Sequence, residues 1–207
     1  MFYLSHPFDD RSGMEWENYP DNLYGLFLTK SNTYAFLKSF VLEYFRTEHQ
    51  SGSFHLVPQP DGTLHGRGLD NYFNHGIYRS GASYNGRAMV SPLFGPVLRE
   101  EDIATGFEST RFTGFHIGIL GNLSNQVSWK GKLTCSKHLG QYKGDNGDTY
   151  DPRRKQASAL LEFTWHPEKL PLSFRASAAF DHGSLYDAGT STTRLGTMLK
   201  VSWQIAK

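Results

Sequence analysis

The stretch from Asp70 to Met89 concentrates side chains that could bind a ligand. Its sequence, DNYFNHGIYRSGASYNGRAM, combines tyrosine rings with asparagine amides, arginines and a histidine. Tyrosine rings stack on the CH-rich faces of sugars, and planar amide and guanidinium groups make paired hydrogen bonds to hydroxyls and carboxylates. The composition predicts a carbohydrate-binding surface, whose candidate residues are Asn71, Tyr72, Asn74, His75, Tyr78, Arg79, Tyr84 and Arg87.

The same residues also have a structural interpretation. In this interpretation the side chains of Asp70, Asn71 and Tyr72 bond the segment to neighbouring parts of the fold. Arg87 then forms an ion pair in the lumen of a β-barrel, a fold that the strand pattern below predicts. The sequence leaves both interpretations open.

Catalytic and metal-binding patterns are weak. Glu100, Glu101 and Asp102 are adjacent in LREEDI, but adjacency does not establish the carboxylate separation that glycoside hydrolysis requires. The chain contains no Gly-x-Ser-x-Gly or HExxH motif, and DNGDTYD at 145–151 lacks the spacing of an EF-hand loop. We therefore expect no enzymatic activity, no metal ion and no cofactor.

Composition favours a single β-rich domain. The chain has 207 residues, a net charge of +1, 14% aromatic residues and one cysteine, Cys135. A net charge this close to zero, without a run of basic residues, does not indicate nucleic-acid binding. Frequent aromatic and glycine residues favour strands and turns, so we expect one all-β domain over residues 1–207.

Period-two alternation predicts the strands. QVSWKGKLTCSKHLGQY, QASALLEFTW, LSFRASAAFD and LGTMLKVSWQIA alternate apolar and polar residues, the first over more residues than a typical soluble strand. Less regular strands are predicted at about 2–8, 23–30, 36–48 and 109–120, and only 36–48 admits a helix. About eight strands result, with short connections at 31–35, 121–125 and 167–170 and a long one at 49–108.

Loop lengths and tryptophan positions point to a membrane barrel. Long and short connections alternate along the chain, as in outer-membrane barrels with short periplasmic turns and long external loops. Trp129, Trp165 and Trp203 fall on apolar faces near the short-turn end, as in an aromatic girdle at the bilayer interface. The opposite face is too charged for a dry core, with Lys130, Lys132, Glu162, Arg175, Asp181 and Lys200. We predict an antiparallel transmembrane β-barrel, with 49–108 as a long external or mouth-lining loop.

Three segments carry a family resemblance. PDNLYGLFL, FLKSFVLEYFRTEHQSG and DNYFNHGIYRSGASYNGR together resemble the Bacteroidetes branch of the Wzi-like capsule-assembly outer-membrane proteins. The resemblance implies a larger barrel, of which this chain would be the C-terminal part, in the bacterial outer membrane. It also implies a non-enzymatic, lectin-like role in binding or organising capsular polysaccharide.

Two other functions are compatible with the strand pattern. One is a transport barrel or porin for small solutes, and the other is a soluble carbohydrate-active β-protein. The partners expected from the leading interpretation are surface polysaccharide and outer-membrane lipid.

Overall fold

The computed structural model describes residues 1–7, 16, 18–31, 35–50, 52, 54–69, 71, 73–74, 77–85, 87–143 and 147–203. Regular structure in these residues consists of strands, which confirms the predicted all-β class. In chain order the strands are β1 (Phe2–Ser5), β2 (Leu23–Thr29), β3 (Ser39–Arg46), β4 (His55–Pro58), β5 (Leu64–Arg67), β6 (Ser83–Tyr84), β7 (Arg87–Ala88), β8 (Val97–Glu100), β9 (Ile103–Phe107), β10 (Arg111–Asn122), β11 (Val127–Gly140), β12 (Tyr142–Lys143), β13 (Gly147–Asp148), β14 (Arg154–Trp165), β15 (Leu172–Gly183) and β16 (Thr192–Trp203).

Eight of these strands form one antiparallel sheet, in the order β1-β2-β3-β10-β11-β14-β15-β16. They include all four strands with regular alternation, and β10, β11 and β14–β16 have 12 to 14 residues each. The segment 36–48, where a helix is arguable from sequence, contains strand β3. β-Branched and aromatic residues in FVLEYF favour that outcome.

The sheet is open in the described part of the chain. Strands β1 and β16 occupy its two edges and do not pair with each other. Closure into a barrel is therefore not observed, although the sheet has the predicted number of strands.

The predicted sorting of connections by length is only partly observed. The end of the sheet that carries residues 47–110 and 141–153 has the longest connections, and the opposite end has the tight turns at 123–126 and 166–171. The connection at 30–38, however, is about as long as that at 184–191 on the other end. Loop length therefore distinguishes the two ends of the sheet less cleanly than the sequence suggested.

The two faces of the sheet differ in chemistry. On one face, which we call the polar face, Lys130 and Arg175 lie 2.8 and 3.7 Å from the Glu162 carboxylate, and Asp181 accepts hydrogen bonds from Gln156 and Ser158. On the other, the apolar face, large side chains remain exposed. They include Phe115, Leu133, Leu161, Leu199 and Val201.

The buried core lies where residues 47–110 fold back onto the sheet. Phe73, Phe94 and Phe107 pack with Phe112, which is fully buried at the start of β10. Phe112 stacks on His138, and His138 bonds Ser136 on the polar face. The long loop thus covers the polar face at the end of the sheet that carries the longest connections, which we call the loop-bearing end. Its phenylalanines supply the apolar contact that holds it there.

Candidate functional site

A cleft lies on the outer surface of the long loop. It has a volume of about 370 Å³ and is bordered by the hairpins β6–β7 and β8–β9. Its lining is largely polar and consists of Ser80, Ser83, Tyr84, Asn85, Arg99, Asp102 and Ile103.

Tight turns place the side chains of this cleft. Tyr84 pairs with Arg87 across the β6–β7 hairpin, and Asn85 in its turn has φ of 49°. Asparagine tolerates positive φ, and Asn-Gly at 85–86 is a strong hairpin signal in the sequence. In the second hairpin Glu100 pairs with Ile103, so a two-residue turn presents Asp102 to the cleft.

The cleft combines the groups that carbohydrate recognition requires. The Tyr84 side chain is 70% exposed and offers a ring face for stacking. Arg99 supplies a guanidinium that can bind a carboxylate or two hydroxyls, while Asp102 supplies acceptors for hydroxyl protons. The described lining contains no histidine or cysteine and has one carboxylate, so it lacks the acid pair of a typical glycosidase.

Two of the predicted binding residues stabilise the loop. Asn74 donates from Nδ2 to the carbonyl oxygen of Phe107 at 2.6 Å and accepts from its N–H at 2.7 Å. The Thr110 hydroxyl donates to Oδ1 of Asn71 at 2.7 Å. For these two asparagines the structural interpretation therefore accounts for the contacts.

Other predicted residues lie on the exposed surface near the cleft. Arg79 forms an ion pair with Glu100 at 2.5 Å, and both side chains are more than half exposed. Tyr78 is 72% exposed, and Arg87 is exposed beside Tyr84. Tyr72 and His75 lie outside the described residues.

Of the seven described residues that line the cleft, only Tyr84 is a binding candidate from the sequence. Arg99 and Asp102 come from the LREEDI segment, which stands out in the sequence only for its adjacent carboxylates. The ion pair between Arg79 and Glu100 joins that segment to the tyrosine-rich stretch some twenty residues earlier. The residues of VLREEDIATGF do not alternate apolar and polar side chains, so no local signal indicated the second hairpin or its position beside the first.

The three tryptophans cluster at the turn-bearing end of the apolar face. Trp129 pairs with Phe163, Trp165 with Val127 and Phe174, and Trp203 with Leu172. Two of the indole N–H groups donate to connections at this end: Trp129 Nε1 to Phe36 O at 3.0 Å and Trp165 Nε1 to Gln126 Oε1 at 3.3 Å.

Comparison with known proteins identifies no relative of this chain. No family model, curated protein or solved structure matches this chain significantly. Within the described residues, no helix is long and apolar enough to cross a membrane, and no group of three or more His, Cys, Asp or Glu side chains is arranged to hold a metal ion.

Proposed function

We propose that this chain forms part of a bacterial outer-membrane β-barrel that binds surface polysaccharide without catalysing a reaction. The observation that carries the membrane location is the exposed apolar face of the sheet. Leu133 and Leu161 lie near the middle of their strands and are each 46% exposed, and the more peripheral Leu199 is 87% exposed. Burying this face in lipid removes a large apolar area from water.

The polar elements of the sheet fit the same proposal. The charged side chains of Lys130, Lys132, Glu162, Arg175 and Lys200 share the polar face, which would line the water-filled lumen of a membrane barrel. Tryptophans whose rings lie on the apolar face and whose N–H groups reach turn residues match an interfacial girdle. The two edge strands would pair with further strands in the membrane, because unpaired backbone groups are not tolerated in lipid.

The cleft formed by Tyr84, Arg99 and Asp102 supports the polysaccharide part of the proposal. It lies on the loop-bearing end, opposite the tryptophans, and that end faces outward in this orientation. The resemblance to capsule-assembly proteins points to the same ligand class.

Neighbouring leucines on β14 test the membrane location. Leu161 faces the apolar side, and Leu160, one residue before it, faces the polar side opposite Lys132. Leu161→Arg should cost about 2–4 kcal/mol in the bilayer and reduce insertion, whereas Leu160→Glu, which places an opposite charge beside Lys132, should insert normally. Heat-modifiable migration on detergent gels measures folded, inserted protein. Equal migration of both variants with that of the wild type would show that the apolar face does not contact lipid.

Binding to a panel of purified capsular polysaccharides tests the cleft. Tyr84→Ala and Arg99→Ala should each weaken binding by roughly 5- to 100-fold, the loss expected for a stacking ring or a charge-assisted contact. Tyr19→Ala is the control, because Tyr19 is 64% exposed but lies in the connection between β1 and β2 and does not line the cleft. The lectin function is wrong if no polysaccharide binds the wild type, or if the control loses as much affinity as the cleft variants.

A further inference from the structure

We propose that the polar face of the sheet holds a second carbohydrate site, in which Lys130, Lys132, Arg175 and Lys200 bind the carboxylates of an acidic polysaccharide. This site is distinct from the cleft on the long loop. It rests on the proposed function for its ligand class, and it specifies that the glycan is anionic.

The strand registers bring the four cations to one region. Lys130 and Lys132 lie on the same face of β11, about 7 Å apart along the strand. Arg175 on β15 is directly opposite Lys200 on β16, and Lys130 is directly opposite Glu162 on β14. All four positions lie in the half of the sheet nearer the short turns.

Positive charge in this region exceeds its described partners. The carboxylate of Glu162 contacts both Lys130 and Arg175, at 2.8 and 3.7 Å. In the described part of the chain, neither Lys132 nor Lys200 has a carboxylate within 4 Å. Four cations therefore share one carboxylate. Their positive electrostatic potentials add at the surface of the polar face, because the low-dielectric protein behind it screens charge poorly.

The pair formed by Arg175 and Lys200 is unfavourable without an external anion. Like charges directly opposite each other on neighbouring strands destabilise a sheet. A carboxylate that bridges the two side chains reverses the sign of that interaction. Lys132 has no charge directly opposite it, but it is exposed on the same face, two residues from Lys130.

Small side chains on β15 and β16 leave space for a polymer beside the cations. The row that includes Lys132 crosses β14 at Leu160 and continues to Ala179 and Gly196. A Cβ atom built at Gly196 would have no heavy atom within 4 Å. This low row runs across the strands between Lys130 and Asp181, so an extended acidic chain can lie along it with its carboxylates towards the lysines.

Oligogalacturonate, a polymer of uronic acid, is the probe for this site. Calorimetry on the full chain in detergent should show binding that weakens as salt concentration rises, with no binding of the neutral maltooligosaccharide of equal length. Lys132→Gln/Lys200→Gln should weaken oligogalacturonate binding by roughly 3- to 30-fold, as expected for two exposed charge contacts. These two lysines are chosen because neither forms an ion pair in the described part of the chain, so their substitution leaves no carboxylate unpaired.

A matched double variant controls for net charge. Lys137 and Lys155 are also exposed and directly opposite each other, but they lie on the apolar face of the sheet. Lys137→Gln/Lys155→Gln removes the same charge and should leave oligogalacturonate binding within about twofold of the wild type, since distant exposed charges are screened. Equal losses in the two double variants would overturn the site, as would displacement of oligogalacturonate by inorganic phosphate at the same total charge.

The background variant Tyr84→Ala/Arg99→Ala separates this site from the cleft. Binding that persists in that background and disappears when Lys132→Gln/Lys200→Gln is added supports the polar-face site even if the cleft has no ligand. Binding that depends on the cleft residues but not on the lysines overturns the polar-face site and leaves the proposed function intact.

Discussion

The Asn74 amide and the backbone of Phe107 form a closed pair of hydrogen bonds across 33 residues of sequence. Nδ2 donates to the Phe107 carbonyl oxygen and Oδ1 accepts from its N–H, at 2.6 and 2.7 Å. The pair ties the tyrosine-rich stretch to the last strand of the long loop. It therefore positions the loop that carries the cleft.

We predict that Asn74→Asp loosens this loop. The substituted carboxylate has no donor for the Phe107 carbonyl, and the loss should destabilise the loop by about 1–3 kcal/mol. Limited proteolysis within residues 54–107 measures the change. Asn71→Asp is the control because Oδ1 of Asn71 serves as an acceptor for Thr110, which a carboxylate can replace. Equal proteolysis of the two variants would contradict the structural role of Asn74.

Arg111 joins two connections at the end of the sheet, the long loop at 47–110 and the segment 141–153. Its Nε donates to Glu48 O at 2.7 Å, its Nη1 contacts Asp148 at 2.9 Å, and its guanidinium lies 3.6 Å from the centre of the Tyr142 ring. Arg111→Lys retains the positive charge but removes the planar guanidinium, and with it the paired hydrogen bonds and the stacking on the Tyr142 ring. We expect a loss of about 1–3 kcal/mol in the free energy of unfolding.

Arg153→Lys is the matched comparison for Arg111. Arg153 is 3.8 Å from the same Asp148 carboxylate, but its side chain is 44% exposed. Its substitution should change stability by less than about 0.5 kcal/mol. Urea titrations of folded protein in detergent measure both values, and a similar loss in the two variants would show that the buried contacts of Arg111 contribute little.

Asp21 should make stability depend on pH in the acidic range. Burial raises the pKa of the Asp21 carboxyl above 3.8, although the N–H groups of His49 and Gln50 donate to it at 2.6 and 2.8 Å and act in the opposite direction. A carboxyl whose pKa is higher in the folded state contributes stability that is complete below pH 3.8 and is lost as pH rises through the folded-state pKa.

Asp21→Asn isolates this contribution from that of other carboxylates. Asparagine stays neutral and retains an oxygen that can accept from the backbone, so the loss of stability on raising pH should be smaller in the variant than in the wild type. Thermal unfolding followed by circular dichroism between pH 3 and 7 measures the difference. Parallel pH profiles for the two proteins would show that Asp21 titrates alike in the folded and unfolded chains.

Two phenylalanines on β10 test where the packed core lies. Phe112 is fully buried beneath the long loop, whereas Phe115, three residues later, lies on the apolar face and is 52% exposed. Phe112→Ala should cost about 3–5 kcal/mol through loss of burial and creation of a cavity. Phe115→Ala should cost less than about 1.5 kcal/mol, because much of its ring is already outside the packed protein. Denaturant midpoints measure both, and equal losses would contradict the placement of the loop on the polar face.

The alternation of residues in the long strands was sufficient to predict the β-sheet. In β11 and β14, for example, Trp129, Phe163 and Leu161 share one face while Lys130 and Glu162 share the other, because successive side chains in a strand point to opposite sides. The Asn-Gly dipeptide at 85–86 likewise predicts a hairpin, since positive φ restricts the residues that a tight turn accepts.

Contacts between distant segments were decided by the tertiary structure. The sequence offers Asn71 and Asn74 as binding candidates and leaves a structural role open. Their hydrogen-bond partners, Thr110 and Phe107, come from the far end of the loop, so only the tertiary structure shows that these amide groups stabilise it. Arg99 and Asp102 become part of the cleft because two hairpins pack side by side, and no local pattern encodes that packing. The strands and their two faces follow from periodicity. The pairing of β3 with β10 across the long loop, and the contacts among the hairpins of that loop, depend on which surfaces meet in three dimensions.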